Sequence, residues 1–165
     1  MATSALVTEQ APEFREALGD GGVLLGLDLG TKTIGTALCD ARWTFATAGK
    51  TLPKGKYGRD RAALAELCAA RSVKGVVIGL PLNMDGSAGP RVQASRAFAR
   101  NLAQMSEQGL GLPVLLWDER WSTTSAERAM IDQDFSRAKR ATRIDSHAAA
   151  IILQAAIDRL AGGMF

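Results

Sequence analysis

The chain is short of the residues that soft metal sites and oxidised scaffolds require. Its 165 residues include two cysteines, Cys39 and Cys68, and one histidine, His147. The cysteines lie far apart and form no C-x-x-C pair, so a Cys/His zinc site lacks ligands. A disulfide scaffold is not expected, and a reducing cytoplasm fits best. Any metal ion would have to be held by carboxylates, which select hard ions such as Mg²⁺ or Mn²⁺. No segment approaches the roughly 18 apolar residues of a membrane span, and the longest, AAAIILQAAI, is short and alanine-rich. Residues 1–22 have no basic n-region and carry several acids, so a flexible N-terminal arm is expected rather than a secretory signal.

What is present reads as one globular α/β domain over 23–165, with no internal repeat and no linker. The net charge is +3, a mild bias toward polyanions. The positive charge is clustered. SRAKRATR, Ser136 to Arg143, holds four cations and no acid. Lys50, Lys54, Lys56, Arg59 and Arg61 stand against one aspartate between Gly49 and Arg61. Either segment alone could be a solvated loop.

Short apolar runs bounded by glycine predict strands at VLLGLDLG (23–30), TIGTALCD and TFATAGKTL, joined as an antiparallel meander. Helical spacing follows at 58–72, a fourth strand at 73–81, a helix at 91–107 and a fifth strand at 112–119. STTSAERAMIDQD predicts a further helix after Ser122, and IDSHAAAIILQAAIDRLAGG a last one from about Asp145. The order βββαβαβαα builds a five-stranded mixed sheet flanked by helices on both faces.

The anomaly is Asp28, a carboxylate inside an apolar strand. Asp118 and Glu119 close the fifth strand, and Asp145 opens the last helix. If the first and fifth strands run parallel, these acids share one sheet edge. Converging carboxylates repel, and a divalent cation removes that penalty. It also suits phosphodiester hydrolysis. Each acid has a plainer explanation when taken alone: a turn cap for Asp28, an Arg120 partner for Asp118 or Glu119, a first-turn acid for Asp145.

Four ordered segments, GLDLGTKTIGTALCD, VVIGLPLNMDGSAGPR, LLWDERWSTTSAER and RIDSHAAAIILQAAID, together resemble the YqgF family, also called RuvX. The resemblance spans about Val23 to Leu160. It implies an RNase H-like fold, a two-metal nuclease using Mg²⁺ or Mn²⁺, and a cytoplasmic location. The family's substrates are taken to be Holliday junctions or the small-subunit ribosomal RNA precursor. By this resemblance Asp28, Glu119 and Asp145 are the catalytic, metal-holding acids, and Lys32 and Arg120 face the scissile phosphate. Many relatives carry Lys-Gly shortly before the last aspartate, where this chain departs with Ala141-Thr142-Arg143, and the role of gripping nucleic acid is expected to move to Lys139, Arg140 or Arg143. Asn83 and Asp85 belong to a loop shaping the substrate side. The strand at 73–81 ends IGLP and carries no acid, so the second acid comes from Asp118-Glu119. A junction substrate would imply a homodimer, because two strands are cut. Two other readings compete. A non-catalytic nucleic-acid-binding module would keep the basic segments and need no acid trio. An actin-like phosphotransferase shares D-L-G-T-K but needs a second subdomain, for which the chain has no room.

Overall fold

The computed structural model of the chain describes residues 3–121 and 137–162, with side chains of the last helix described from Ser146 onward. In chain order the elements are β1 (Val7–Thr8), α1 (Ala11–Leu18), β2 (Leu24–Leu29), β3 (Thr33–Cys39), β4 (Ala46–Pro53) and α2 (Tyr57–Arg71). Then come β5 (Gly75–Leu80), α3 (Pro90–Ala103), β6 (Val114–Asp118), one 3-10 turn (Glu119–Trp121) and α4 (Arg137–Gly162).

The strands form one sheet in the order β1-β6-β5-β2-β3-β4. β2, β3 and β4 make the expected antiparallel meander. β2 pairs parallel with β5, and β5 parallel with β6. Every residue of β2, β5 and β6 is buried, as strands covered on both faces must be. Alternation sends Leu25, Leu27, Val76, Ile78, Val114 and Leu116 into a core with Leu64 of α2 and Phe98 of α3. The complementary residues Leu24, Val77, Leu115 and Trp117 pack with Phe14 of α1 and Ile152 and Leu153 of α4.

Three expectations change. The sheet has six strands rather than five, because β1 adds to the edge beside β6. The segment expected as a flexible arm carries β1 and α1, and Phe14 is fully buried. A helix of eight residues is marginal by itself. Burying Phe14 contributes roughly 1.5–3 kcal/mol toward docking it. The basic segment expected as a loop is helical from Arg137, so α4 begins well before Asp145. The helix predicted after Ser122 lies outside the described residues. Among the described residues, no helix is long and apolar enough to cross a membrane.

α4 lies close on β2 because Gly26 has no side chain. A β-carbon there would stand 2.8 Å from Leu153 Cβ and 3.1 Å from the Ala149 carbonyl oxygen. Gly26→Ala should therefore cost about 1–3 kcal/mol by overpacking. Urea denaturation should show a lower midpoint with an unchanged slope. A midpoint equal to that of the native chain would mean that α4 can lift without loss.

Candidate active site

Asp28 sits near the C-terminal end of β2 and is 3% exposed. Strand alternation puts it on the face of Leu24 and Gly26, which is the face α4 covers. Directly opposite Asp28 on β3 is Gly35, and opposite Gly35 on β4 is Thr51. The Thr51 hydroxyl is hydrogen-bonded to the hydroxyl of Ser146, a buried residue of α4. The start of α4's packed face is thus pinned to the cross-strand row that contains Asp28. Asp145 is the preceding residue of that helix. The side chains of Asp145, Lys139, Arg140 and Arg143 lie outside the described residues.

On the other flank, the pairing of Leu27 with Ile78 brings Gly79 of β5 level with Asp28. Gly79 is where the second carboxylate lies. A β-carbon on Gly79 would stand 2.9 Å from Glu119 Oε2 and 2.6 Å from Ile152 Cδ1. Glu119 therefore lies back from the end of β6 across β5, with its carboxylate on the α4 face beside Asp28. Its length allows this, because the backbone has already left the strand and entered the 3-10 turn.

Asp118 faces the other way. It continues the series Val114 and Leu116 on the α2/α3 face. There Arg120 clasps it: Nε donates to both carboxylate oxygens at 3.1 Å and Nη2 to Oδ2 at 2.6 Å. The Arg120 amide donates to Oδ1 at 2.9 Å. Burial pushes the Asp118 carboxyl up, but the Arg120 hydrogen bonds and charge outweigh it and hold the group below the ordinary carboxylate range. Arg120 Nη1 also donates to the Met84 carbonyl, so the guanidinium ties the end of β6 to the loop after β5.

That loop is organised by its own polar residues. The Ser87 amide and hydroxyl both donate to Asp85 Oδ1, at 2.9 and 2.6 Å, and Asn83 Nδ2 donates to the Ser87 hydroxyl at 2.9 Å. The Ser87 hydrogen bonds hold Asp85 below its usual value, with a smaller contribution from the Arg120 charge. Asn83 and Asp85 thus shape the loop from within. Lys32 is exposed in the turn after β2, at the same edge of the sheet.

The donor set at this edge is all carboxylate oxygen, which fits a hard divalent cation and not a soft one. Among the described residues, no group of three or more His, Cys, Asp or Glu stands together to hold a metal ion. The site joins Asp28 and Glu119, and its third expected member falls at position 145. Gly79 is the participant that sequence reasoning passed over. Its signal was available: a glycine inside an otherwise apolar strand marks a close approach by another group.

The family model described as RuvX: Holliday junction resolvase matches residues 22–159. A protein of Novosphingobium aromaticivorans curated under the name "Putative pre-16S rRNA nuclease" is 64% identical over 160 residues, covering 97% of this chain and all of its own. One of the same name from Sphingopyxis alaskensis is 61% identical, covering 94% of this chain and 99% of its own. Among solved structures, T. thermophilus RuvC in complex with Holliday junction substrate matches with a TM-score of 0.52 at 14% identity, over 86% of this chain and 96% of that one. The shared fold is RNase H-like.

The two neighbouring acids should separate in a stability measurement. Asp118→Asn loses a half-buried ion pair and should cost roughly 1 kcal/mol, or about 2–4 °C in melting temperature. Glu119→Gln should melt close to the native chain. Because the Asp118 value is lowered in the folded state, the pair's contribution is complete above about pH 4 and is lost as the pH falls through the lowered value. Melting curves of both variants at pH 7 and pH 3 test this, and a Glu119→Gln chain melting below Asp118→Asn would contradict it.

Proposed function

Since the chain belongs to the RuvX family, we propose that it is a nuclease hydrolysing phosphodiester bonds in structured nucleic acid at the edge formed by Asp28 and Glu119. The observation that carries this reading is the Glu119 carboxylate lying over Gly79, level with Asp28, while Asp118 is turned away and neutralised by Arg120. A simple binding module has no need for two acids brought to one face.

Asp28 and Glu119, joined by Asp145, would hold Mg²⁺ or Mn²⁺. When bound, such ions supply an activated water and stabilise the leaving oxygen. The chain's own part is placement. The buried β2 strand fixes Asp28, and Gly79 leaves room for the Glu119 side chain. Thr51 and Ser146 set the position of α4 over the row. Lys32, Lys139, Arg140 and Arg143 are assigned to the substrate backbone. Arg120 contributes by holding the 81–89 loop against β6, its charge already shared with Asp118. Asn83 and Asp85 keep that loop in shape.

The names of the similar proteins favour precursor ribosomal RNA as substrate, hence a cytoplasmic site of action. The family description and the RuvC fold favour branched DNA as the second reading, which requires two sites and therefore a homodimer. Purified protein offered ribosomal precursor RNA, a four-way junction and plain duplex side by side, with Mg²⁺ or Mn²⁺, distinguishes them.

Cleavage should stop on chelation. Asp28→Asn should lose at least about 100-fold in rate with the fold intact, because the replacement keeps the shape and removes the charge a hard cation requires. Full activity in excess chelator, or in Asp28→Asn, would overturn the carboxylate-held metal mechanism, whereas binding of the three substrates without cleavage of any would leave the binding-module reading. Glu119→Gln should fall as far, while Asp118→Asn stays within a few-fold of the native rate measured below its melting temperature.

Gly79→Ala tests the cradle. The added methyl must displace Glu119, Ile152 or both. A misplacement of about 1 Å at a reacting centre costs up to about 100-fold. The expected outcome is a large drop in kcat with KM little changed, and a native kcat would show that Glu119 works from some other position.

A further inference from the structure

The turn that follows Asp28 is held by two cations from different elements. Arg91, in the first turn of α3, donates from Nη2 to the Leu29 carbonyl oxygen at 3.2 Å. Lys54, just after β4, donates from Nζ to the Gly30 carbonyl oxygen at 3.3 Å. The Lys54 backbone is fastened there too, its amide donating to the Lys32 carbonyl at 2.9 Å. Elements far apart in the chain thus deliver two positive charges to consecutive carbonyls, directly after the carboxylate at the centre of the candidate site.

Among the described residues, neither charge is met by an acid in an ion pair. The ion pairs among the described residues join Arg59 to Asp60, Arg96 to Glu9 and Arg120 to Asp118. Each carbonyl engages one donor, which leaves most of the ammonium and guanidinium donors unengaged. Consecutive α-carbons are 3.8 Å apart, so the two charged heads stand within about 10 Å of each other. That distance suits two successive phosphates of a nucleic-acid strand. Arg91 is exposed, and Lys54 is half-buried with exposed Lys32 and Lys56 close by in the chain. A neutral ligand would leave both charges uncompensated, whereas a phosphodiester answers them and is the group the neighbouring acids would act on.

We propose that Lys54 and Arg91 form a phosphodiester clamp astride the Leu29–Gly30 turn, holding substrate backbone next to the bond that is cut. The clamp rests on the nuclease reading above. It also gives a use to the basic segment between Gly49 and Arg61, of which Arg59 and Arg61 point elsewhere, donating to the Pro53 and Gly109 carbonyls.

A purely structural role is the rival, in which the two side chains only brace the turn. Lys54→Gln with Arg91→Gln separates the cases, since each amide keeps an N–H donor for its carbonyl and loses the charge. Binding of a labelled single-stranded RNA and a labelled duplex DNA is followed by fluorescence anisotropy in chelator, across a salt series. Each lost phosphate contact makes the log–log salt slope shallower by about 0.7 for a single strand and 0.9 for duplex. The double variant should therefore lose roughly 1.4 on RNA and 1.8 on duplex, each single variant about half, and Lys54→Arg with Arg91→Lys should keep the native slope. The effect should be alike for unrelated sequences, because phosphate contacts carry no base information. If the glutamine variants, double or single, bind with the native slope, the clamp is wrong and the side chains are braces. If the native chain itself binds neither nucleic acid, the nuclease reading fails and the clamp with it.

Discussion

Parallel pairing of β2 with β5, and of β5 with β6, is the constraint on which the rest depends. It aligns the C-terminal ends of three strands that are distant in the chain. Asp28, Gly79 and the Asp118-Glu119 pair then reach one edge together. A single antiparallel neighbour in place of β5 would send one of these ends to the opposite side of the sheet. The meander of β3 and β4 extends the same row outward to Gly35 and Thr51, and Thr51 meets Ser146 of α4. The helix that brings Asp145 is therefore positioned by the sheet it covers.

Within that frame, the alternation of strand side chains divides labour between adjacent acids. Asp118 and Glu119 are chemically close and consecutive, yet they meet different surroundings. Asp118 points toward the α3 side, where Arg120 neutralises it and links it to the Met84 carbonyl. Glu119 follows the strand's end, crosses the bare backbone at Gly79 and arrives on the other face. An ion pair on one side and an acid held over a glycine on the other stiffen the same short turn from both directions. Each side is sensible only with its partner: a larger residue at 79 would crowd Glu119, and an apolar residue at 120 would leave a buried carboxylate unanswered.

Much of this was legible in the chain. The strands at 24–29, 33–39, 75–80 and 114–118, and the helices at 57–71 and 90–103, follow from apolar periodicity and glycine or proline boundaries. β1 and α1 were not legible, because two strand residues and eight helical residues carry too little local preference. They are held by the edge of β6 and by the pocket that buries Phe14. The basic segment from Arg137 read as a loop because charges cluster there without an apolar stripe. Its backbone nevertheless continues the helix.

By itself the sequence determined the kind of chemistry: few soft ligands, acids set in apolar strand ends, and four ordered segments shared with one family. Those are properties of composition and local pattern, so no folding is needed to see them. Only the tertiary structure decided which acid of the Asp118-Glu119 pair stands with Asp28, that Gly79 makes room for it, and that Lys54 and Arg91 close on the turn beside it. These facts depend on strand register and on which carbonyl a long side chain can reach. Both are set by contacts between residues far apart in the chain, where local pattern carries no information.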